Sequence, residues 1–247
     1  MTSLFSNKSK GLLLLVLSLY SLVPFLIFGS HFDLGSAVLP FYGAVMTFVT
    51  YSAGNQGFLI TLAVLSLLVL TLKFSKAKLV SLCLQLGVLL VLSFTAKTFL
   101  KSSTESPRPY TEYLVTQEVV EMPDLFYELP LVEKNAAIES VQDKVSNWRT
   151  RHWLGETDYS FPSGHMIFVG VCLAFFGGLF LEAKRFYLVG GLLVWAGGVA
   201  YSRVWLGMHR PEDLAASIAF AGLIYLLVPL IPTKKIEPLL PQFLRES

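Results

Sequence analysis

The apolar residues of this chain come in runs too long for the core of a small soluble domain, and this limits the fold more than any other feature. Residues 11–29 read GLLLLVLSLYSLVPFLIFG, and comparable runs occupy 57–74, 79–96, 164–181, 187–202 and 213–232. About 20 apolar residues in a helix match the hydrocarbon thickness of a bilayer. A backbone in lipid must satisfy its own hydrogen bonds, so such runs fold as helices. Apolar residues make up 54% of the 247 positions, and mean hydropathy is +0.62. The expected class is all-α, a six-transmembrane helical bundle.

The first run follows Lys8 and Lys10. It is longer than the apolar region of a secretory signal, and no A-x-A-like site follows it, so it reads as an uncleaved span with Pro24 tolerated inside. Residues 30–55 carry one carboxylate, Asp33, and the aromatics Phe41, Tyr42, Phe48 and Tyr51. That pattern suggests an interfacial or re-entrant segment. Residues 97–161 differ in character, holding 11 of the 17 acidic residues and no run long enough to span. This reads as a soluble, mostly helical insertion between the third and fourth spans. Within it, Ile138, Val141, Val145 and Trp148 recur at helical spacing, which predicts an amphipathic helix over about 131–151.

Lysine and arginine near the run ends set the orientation. Lys8 and Lys10, then Lys73, Lys76 and Lys78, then Lys184 and Arg185, then Lys234 and Lys235 fall at alternate ends. Six spans put all of them on one side, the cytoplasm, together with both termini. The expected organisation has four parts. Residues 1–96 hold three spans and the interfacial segment, and 97–161 form an insertion on the outer side. Residues 162–232 hold the other three spans, and 233–247 form a cytoplasmic tail. The chain is expected to cross its membrane several times.

A net charge of +2 argues against nucleic acid or another polyanion as partner, and no obligate protein partner is evident. The two cysteines, Cys83 and Cys172, lie inside apolar runs and read as small buried residues. Two are too few for a disulfide framework or a paired-cysteine metal site.

Three polar clusters reach the outer face at run ends. Lys101 to Arg108 and Pro109 follow the third run, Pro162-Ser163-Gly164-His165 opens the fourth, and Ser202-Arg203 through His209 to Asp213 joins the fifth to the sixth. Ionisable groups at membrane depth are costly and mark functional sites. Lys101, Arg108 and Arg203, with backbone amides beside Gly164, suit a compact dianion such as phosphate. His209 and Asp213 are four apart, so on a helical turn the carboxylate can hold one imidazole tautomer. That makes His209 a candidate nucleophile, with His165 a candidate acid for the leaving oxygen. No carboxylate cluster of the two-metal kind is present, so the expected chemistry uses no metal and no cofactor.

Each element also has a plainer role. Lys101 and Arg108 could be ordinary juxtamembrane charges, Ser163 a helix cap, and Asp213 a favourable charge at a helix start. Lys97, one turn before Lys101, competes for its role. His152 reads as a surface histidine of the insertion, and Arg210 and Glu212 read as bystanders. Glu105, Glu156 and Asp158 lie near the clusters with no mechanism that requires them.

The pattern K-x6-R-P, then P-S-G-H, then S-R-x5-H-x3-D resembles the signature of the type 2 phosphatidic acid phosphatase superfamily. The residues that carry it are Lys101, Arg108 and Pro109; Pro162, Ser163, Gly164 and His165; and Ser202, Arg203, His209 and Asp213. Order, spans and insertion are similar to those of the phosphatidylglycerophosphate phosphatases of Gram-negative inner membranes, which implies a cell inner membrane with the insertion and the site on the periplasmic side. The resemblance implies attack by His209 to form a phosphohistidine, orientation by Asp213, and proton transfer by His165. It also implies phosphate binding by Lys101, Arg108 and Arg203, assisted by Ser163 and Gly164. Implied substrates are membrane lipids bearing phosphate or diphosphate: phosphatidylglycerophosphate, phosphatidic acid and undecaprenyl diphosphate. Two other functions use the same anion site, a vanadium-dependent haloperoxidase and a non-enzymatic lipid-phosphate binding or transport protein. A small inorganic substrate gives no reason for a membrane setting, and binding alone has no need of two histidines.

Overall fold

A computed structural model describes residues 2–28 and 32–241. Helices account for every regular element among them, and no strand is present. The first is α1 (Thr2–Phe28), followed by α2 (Pro40–Ala53), α3 (Phe58–Leu70) and α4 (Lys76–Thr104). Four short helices come next, α5 (Pro109–Thr116), α6 (Pro123–Glu128), α7 (Leu131–Glu139) and α8 (Asn147–Gly155). Then α9 (Gly164–Cys172) runs through a π turn (Leu173–Gly177) into α10 (Gly178–Glu182), and α11 (Phe186–Trp205) and α12 (Pro211–Leu227) complete the bundle. A short α13 (Thr233–Ile236) follows.

Three helical stretches are long and apolar enough to cross a bilayer, within Lys76–Thr116, Gly164–Glu182 and Phe186–Trp205. A fourth counts if α2 and α3, bent by 70° from one another, form one broken span. Length and composition among the described residues therefore identify three or four of the expected six crossings. The reasons are local. The α3 helix has only 13 residues, and α12 has 17, about 26 Å at 1.5 Å per residue. The last residue of the expected first span, Gly29, lies outside the described residues.

Other boundaries shift for identifiable reasons. The third run continues as helix to Thr104, so Lys97 and Lys101 sit on the last turns of α4. The single amphipathic helix expected over 131–151 is two helices. Its break follows Glu139, and Ser146 starts the second piece by accepting from the Trp148 amide. The apolar spacing nonetheless buries Ile138, Val141 and Val145. The segment expected near 30–55 holds α2, with Phe41 and Phe48 exposed on its surface, and turns sharply into α3.

Two cores result. The large one is built from α1, α4, α9 to α10, α11 and α12, with Leu14, Leu89, Phe168, Phe176, Phe180 and Ile218 buried. The second gathers the short helices around Tyr110, Phe126, Ile138 and Trp153, and it includes Trp205, Leu206 and Met208 from the α11–α12 turn. The insertion is thus packed onto the very turn that carries His209. Trp153 donates Nε1–H to the Leu206 carbonyl at 2.7 Å, and the Tyr110 amide donates to Gly207 O at 2.9 Å. Gly207 has φ +68°, and a Cβ there would lie 2.9 Å from Leu34 Cδ1, so only glycine lets the turn close in this way. At the opposite end, Lys8 Nζ donates to Leu226 O at 2.8 Å and Lys10 pairs with Glu182. The start of α1 and the ends of α10 and α12 therefore meet far along the bundle from the α11–α12 turn.

Candidate active site

The end of α4, the starts of α5, α9 and α12, and the end of α11 converge on one cavity of about 310 Å³. Lys97, Lys101, Arg108, Glu156, Asp158, Gly164, His165 and His209 are among its walls. Arg203, Asp213 and Ser163 are not; they are buried behind the wall and reach the site through the residues they hold.

Arg108 is the hub. It precedes Pro109, which opens α5 with its missing amide where no donor is needed. The guanidinium is buried and uses all of its edges. Nε donates to Asp158 O at 2.7 Å, Nη1 to Met208 O at 3.0 Å, and Nη2 to Asp158 Oδ1 at 2.5 Å. Nη1 also lies 3.3 Å from His209 Nε2. Lys101, one turn from the end of α4, donates to Tyr159 O and pairs with Asp158 Oδ2 at 2.9 Å. Arg203 is fully buried near the end of α11, with Nη1 on Thr50 Oγ1 at 3.0 Å and Nη2 on Glu156 Oε2 at 2.6 Å. Its Nε has no partner, an unsatisfied buried donor behind an anion-suited wall.

The three cations thus already hold two carboxylates. Burial by itself would raise the Glu156 carboxyl, but Arg203 and Arg108 outweigh it and keep the group well below the ordinary carboxylate range. Burial likewise opposes ionisation of Asp158, yet Arg108 and Lys101 bring it down to about 2. Both are anions at neutral pH, and they take up hydrogen-bonding edges of all three cations. Sequence reasoning found no role for either residue. A signal existed: two acids lie within nine residues of His165 in a chain whose nearby clusters are cationic.

His209 is held on its other side. Nδ1 lies 3.6 Å from Asp213 Oδ2, and Ser160 Oγ stands between them, 3.2 Å from Nδ1 and 2.5 Å from Oδ2. Asp213 is fixed in turn by the Arg210 amide, which donates to Oδ2 at 3.0 Å. Burial, then Arg108, Arg203 and Lys101, hold the His209 imidazole well below its ordinary pKa, so it is neutral at pH 7. With Nδ1 carrying the proton toward Ser160, the Nε2 lone pair faces Arg108 and the cavity.

His165 lies on the first turn of α9, which Ser163 caps by accepting from the Met166 amide at 3.3 Å. The Ser163 amide donates to Ser217 Oγ at 2.9 Å, which ties α9 to α12 and leaves that amide engaged. Gly164 lines the cavity, and a Cβ there would come within 2.9 Å of Lys97 Cδ. Lys97 and Lys101 therefore both reach the cavity, but Lys101 is the one paired at the Arg108 end. Across from His165, Gly54 in the α2–α3 bend is so close that a Cβ would lie 2.7 Å from Nε2.

Two expectations are corrected: Cys83, unlike the buried Cys172, is exposed, and His152 lies inside. His152 is not a surface residue. It is buried on the face of α8 that meets α2, edge-on to Tyr51, with Nε2 3.2 Å from Thr47 Oγ1, and it lines the cavity. Burial and the nearby Arg203 lower its imidazole to about 4. Arg210 donates from Nη1 to Pro107 O at 2.7 Å and from Nη2 to Glu112 at 2.5 Å, which couples the start of α12 to α5. Glu212 is exposed. No group of three or more His, Cys, Asp or Glu arranged for a metal lies among the described residues.

Comparison with known proteins finds relatives over most of the chain. The chain is 32% identical over 225 residues to phosphatidylglycerophosphatase B of Haemophilus influenzae, covering 84% of this chain and 91% of that protein. It is 29% identical over 148 residues to phosphatidylglycerophosphatase B of Escherichia coli, where the match spans 59% of this chain and only 58% of the relative. An undecaprenyl-diphosphatase of Sulfolobus acidocaldarius is 36% identical over 88 residues, 34% of this chain and 41% of that one. A family model described as the PAP2 superfamily matches residues 78–237, a region that holds all three clusters of the cavity. With most of its length matched by that model and by the Haemophilus relative, the chain belongs to the PAP2 superfamily.

Proposed function

We propose that this protein is an integral-membrane lipid phosphate phosphatase that works through a phosphohistidine at His209. The observation that carries the reading is the cavity itself. Three buried or half-buried cations and a neutral, oriented imidazole meet at the shared ends of apolar helices, where a lipid headgroup would lie. Relatives named phosphatidylglycerophosphatase and undecaprenyl-diphosphatase support lipid phosphates as the substrate class. Phosphatidylglycerophosphate is the first candidate, followed by phosphatidic acid and undecaprenyl diphosphate.

In this mechanism the phosphate displaces Glu156 and Asp158 from Arg203, Arg108 and Lys101, exchanging two carboxylates for one dianion. His209 Nε2 attacks phosphorus in line with the ester oxygen. The Nε2–P bond forms as the P–O bond breaks, and the electron pair leaves on oxygen, which takes a proton from His165. Water then attacks the phosphohistidine, giving its proton to His165 and releasing phosphate. Arg108, 3.3 Å from Nε2, sits where charge grows on the transferring group. As the imidazole becomes cationic, Asp213 stabilises it. His165 must be protonated for the first step, and the bound dianion favours that form.

The topology proposed with this function has six spans, both termini in the cytoplasm and the site on the periplasmic side. It is supported by the basic residues at the α1 and α10 ends, opposite the cavity. Residues 97–161 would be the periplasmic insertion. Phosphate release from phosphatidylglycerophosphate in detergent micelles tests the function. Purified wild type should turn over with EDTA present, and folded His209→Ala should lose at least about a thousandfold in kcat. Equal turnover in the two proteins rules the mechanism out, and loss with EDTA rules out its metal independence.

A further inference from the structure

We infer that Ser160 is a positioning residue for His209, and that its hydroxyl carries the influence of Asp213 to the imidazole. The inference rests on the reading of His209 as nucleophile. Within that reading, the carboxylate does not orient the ring by direct contact. The His209 Nδ1 to Asp213 Oδ2 separation of 3.6 Å is beyond the range of a formed hydrogen bond. Ser160 Oγ fills the gap, 2.5 Å from Oδ2 and 3.2 Å from Nδ1.

Donor arithmetic gives the direction of the relay. Asp213 as a carboxylate only accepts, so the single Ser160 proton goes to Oδ2. The Ser160 oxygen then accepts, and the one group facing it that can give a proton along this line is His209 Nδ1–H. This arrangement leaves Nε2 unprotonated toward the cavity. Met208 O, 3.3 Å from Ser160 Oγ, is also an acceptor and competes only weakly with the charged Oδ2.

The hydroxyl is held firmly. Ser160 is fully buried, and its amide donates to Ser106 O at 2.7 Å. That link joins the loop before α9 to the loop after α4, and it survives truncation of the side chain. Asp213 is pinned from the other side by the Arg210 amide at 3.0 Å, so it is not free to close on His209 when the hydroxyl is removed. Ser160 makes no hydrogen bond to Lys101, Arg108 or Arg203, so its loss should leave the cationic cradle intact.

The test compares wild type, Ser160→Ala, Asp213→Asn and the double variant by steady-state phosphate release, with thermal melting to verify folding. Ser160→Ala should lose about 10- to 100-fold in kcat, the worth of one hydrogen bond to a charged or charging group, with KM changed less than about threefold. Placed on Asp213→Asn, the same change should cost less than about threefold more, since the two act in series. Ser160→Cys, close in volume and a much weaker hydrogen-bonding group, should show the same kcat loss if the alanine variant is not recovered folded. Unimpaired kcat in the folded variants overturns the inference, and so do Ser160 and Asp213 losses that simply multiply. An active wild type, an inactive His209→Ala and a fully active Ser160→Ala would remove this inference alone. A wild type without phosphatase turnover would remove the reading beneath it as well.

Discussion

Replacing Arg108 with lysine keeps a positive charge in the cavity and removes a shape, so it separates two accounts of this residue. In the structure the guanidinium binds Asp158 O, Met208 O and Asp158 Oδ1 at 2.5–3.0 Å, and it faces His209 Nε2. A lysine ammonium on a shorter reach can keep about one of these. Two lost hydrogen bonds from a charged donor cost about 1.5–3 kcal/mol each, or about 3–6 kcal/mol in total. Part of this appears as lost stability, because the bond to Asp158 O fixes the loop before α9. The remainder appears in the transition state, because Met208 O adjoins His209 and Nη1 lies where phosphoryl charge develops. Assigning about 3–4 kcal/mol to the transition state predicts a fall in kcat/KM of about 100- to 1,000-fold. The assay is phosphate release from lipid phosphate in mixed micelles, with a thermal melt of the same preparation. A folded Arg108→Lys within about threefold of wild type would refute the geometric argument and leave only a point charge.

Two further outcomes follow from the same geometry. His209 must be neutral to attack, and burial with three nearby cations lowers its pKa, so the acidic limb of kcat/KM belongs below the ordinary imidazole range near 6.5. Measured from pH 5 to 8 and corrected for the second phosphate ionisation near 6, the rate constant should show no acid-side loss setting in at pH 6.5, and a tenfold fall per unit below that point would contradict it. Gly54→Ala would put a Cβ 2.7 Å from His165 Nε2 and 3.0 Å from Gln56 Oε1, displacing the proposed acid. Because small misplacements of a reacting group are expensive, kcat should fall by about 100-fold while the melting temperature changes little. Wild-type kcat in that variant would show that His165 tolerates the shift.

The apolar runs and the three polar clusters were legible in the sequence because each is local: a run is read along one helix, and Lys101, His165 and His209 sit in short patterns. Their meeting at one cavity was expected from their shared place at run ends. What escaped the sequence was mostly long-range. Ser160 is an ordinary loop serine until the fold places it beside His209 and Asp213, 49 and 53 residues away. Glu156 and Asp158 looked dispensable because their partners come from α4, α5 and α11. His152 was misplaced because its neighbours Arg151 and Asn147 suggest solvent, whereas the opposite face of α8 meets Thr47 and Tyr51 of α2. The split of the 131–151 helix shows that matching apolar spacing does not guarantee continuity: Ile138, Val141 and Val145 are all buried, but the chain between them turns. The bend between α2 and α3 carries its signal in Gly54 and Gly57, which flank two polar residues.

The central claim is that phosphate passes through His209. Rapid mixing of wild type with radiolabelled lipid phosphate, alkaline quenching and peptide mapping would test it most directly, since a phosphohistidine survives base. The account predicts label on the peptide that contains His209, appearing and decaying at rates fast enough for turnover. Label on the His165 peptide, or turnover with no base-stable label on the protein, would contradict it.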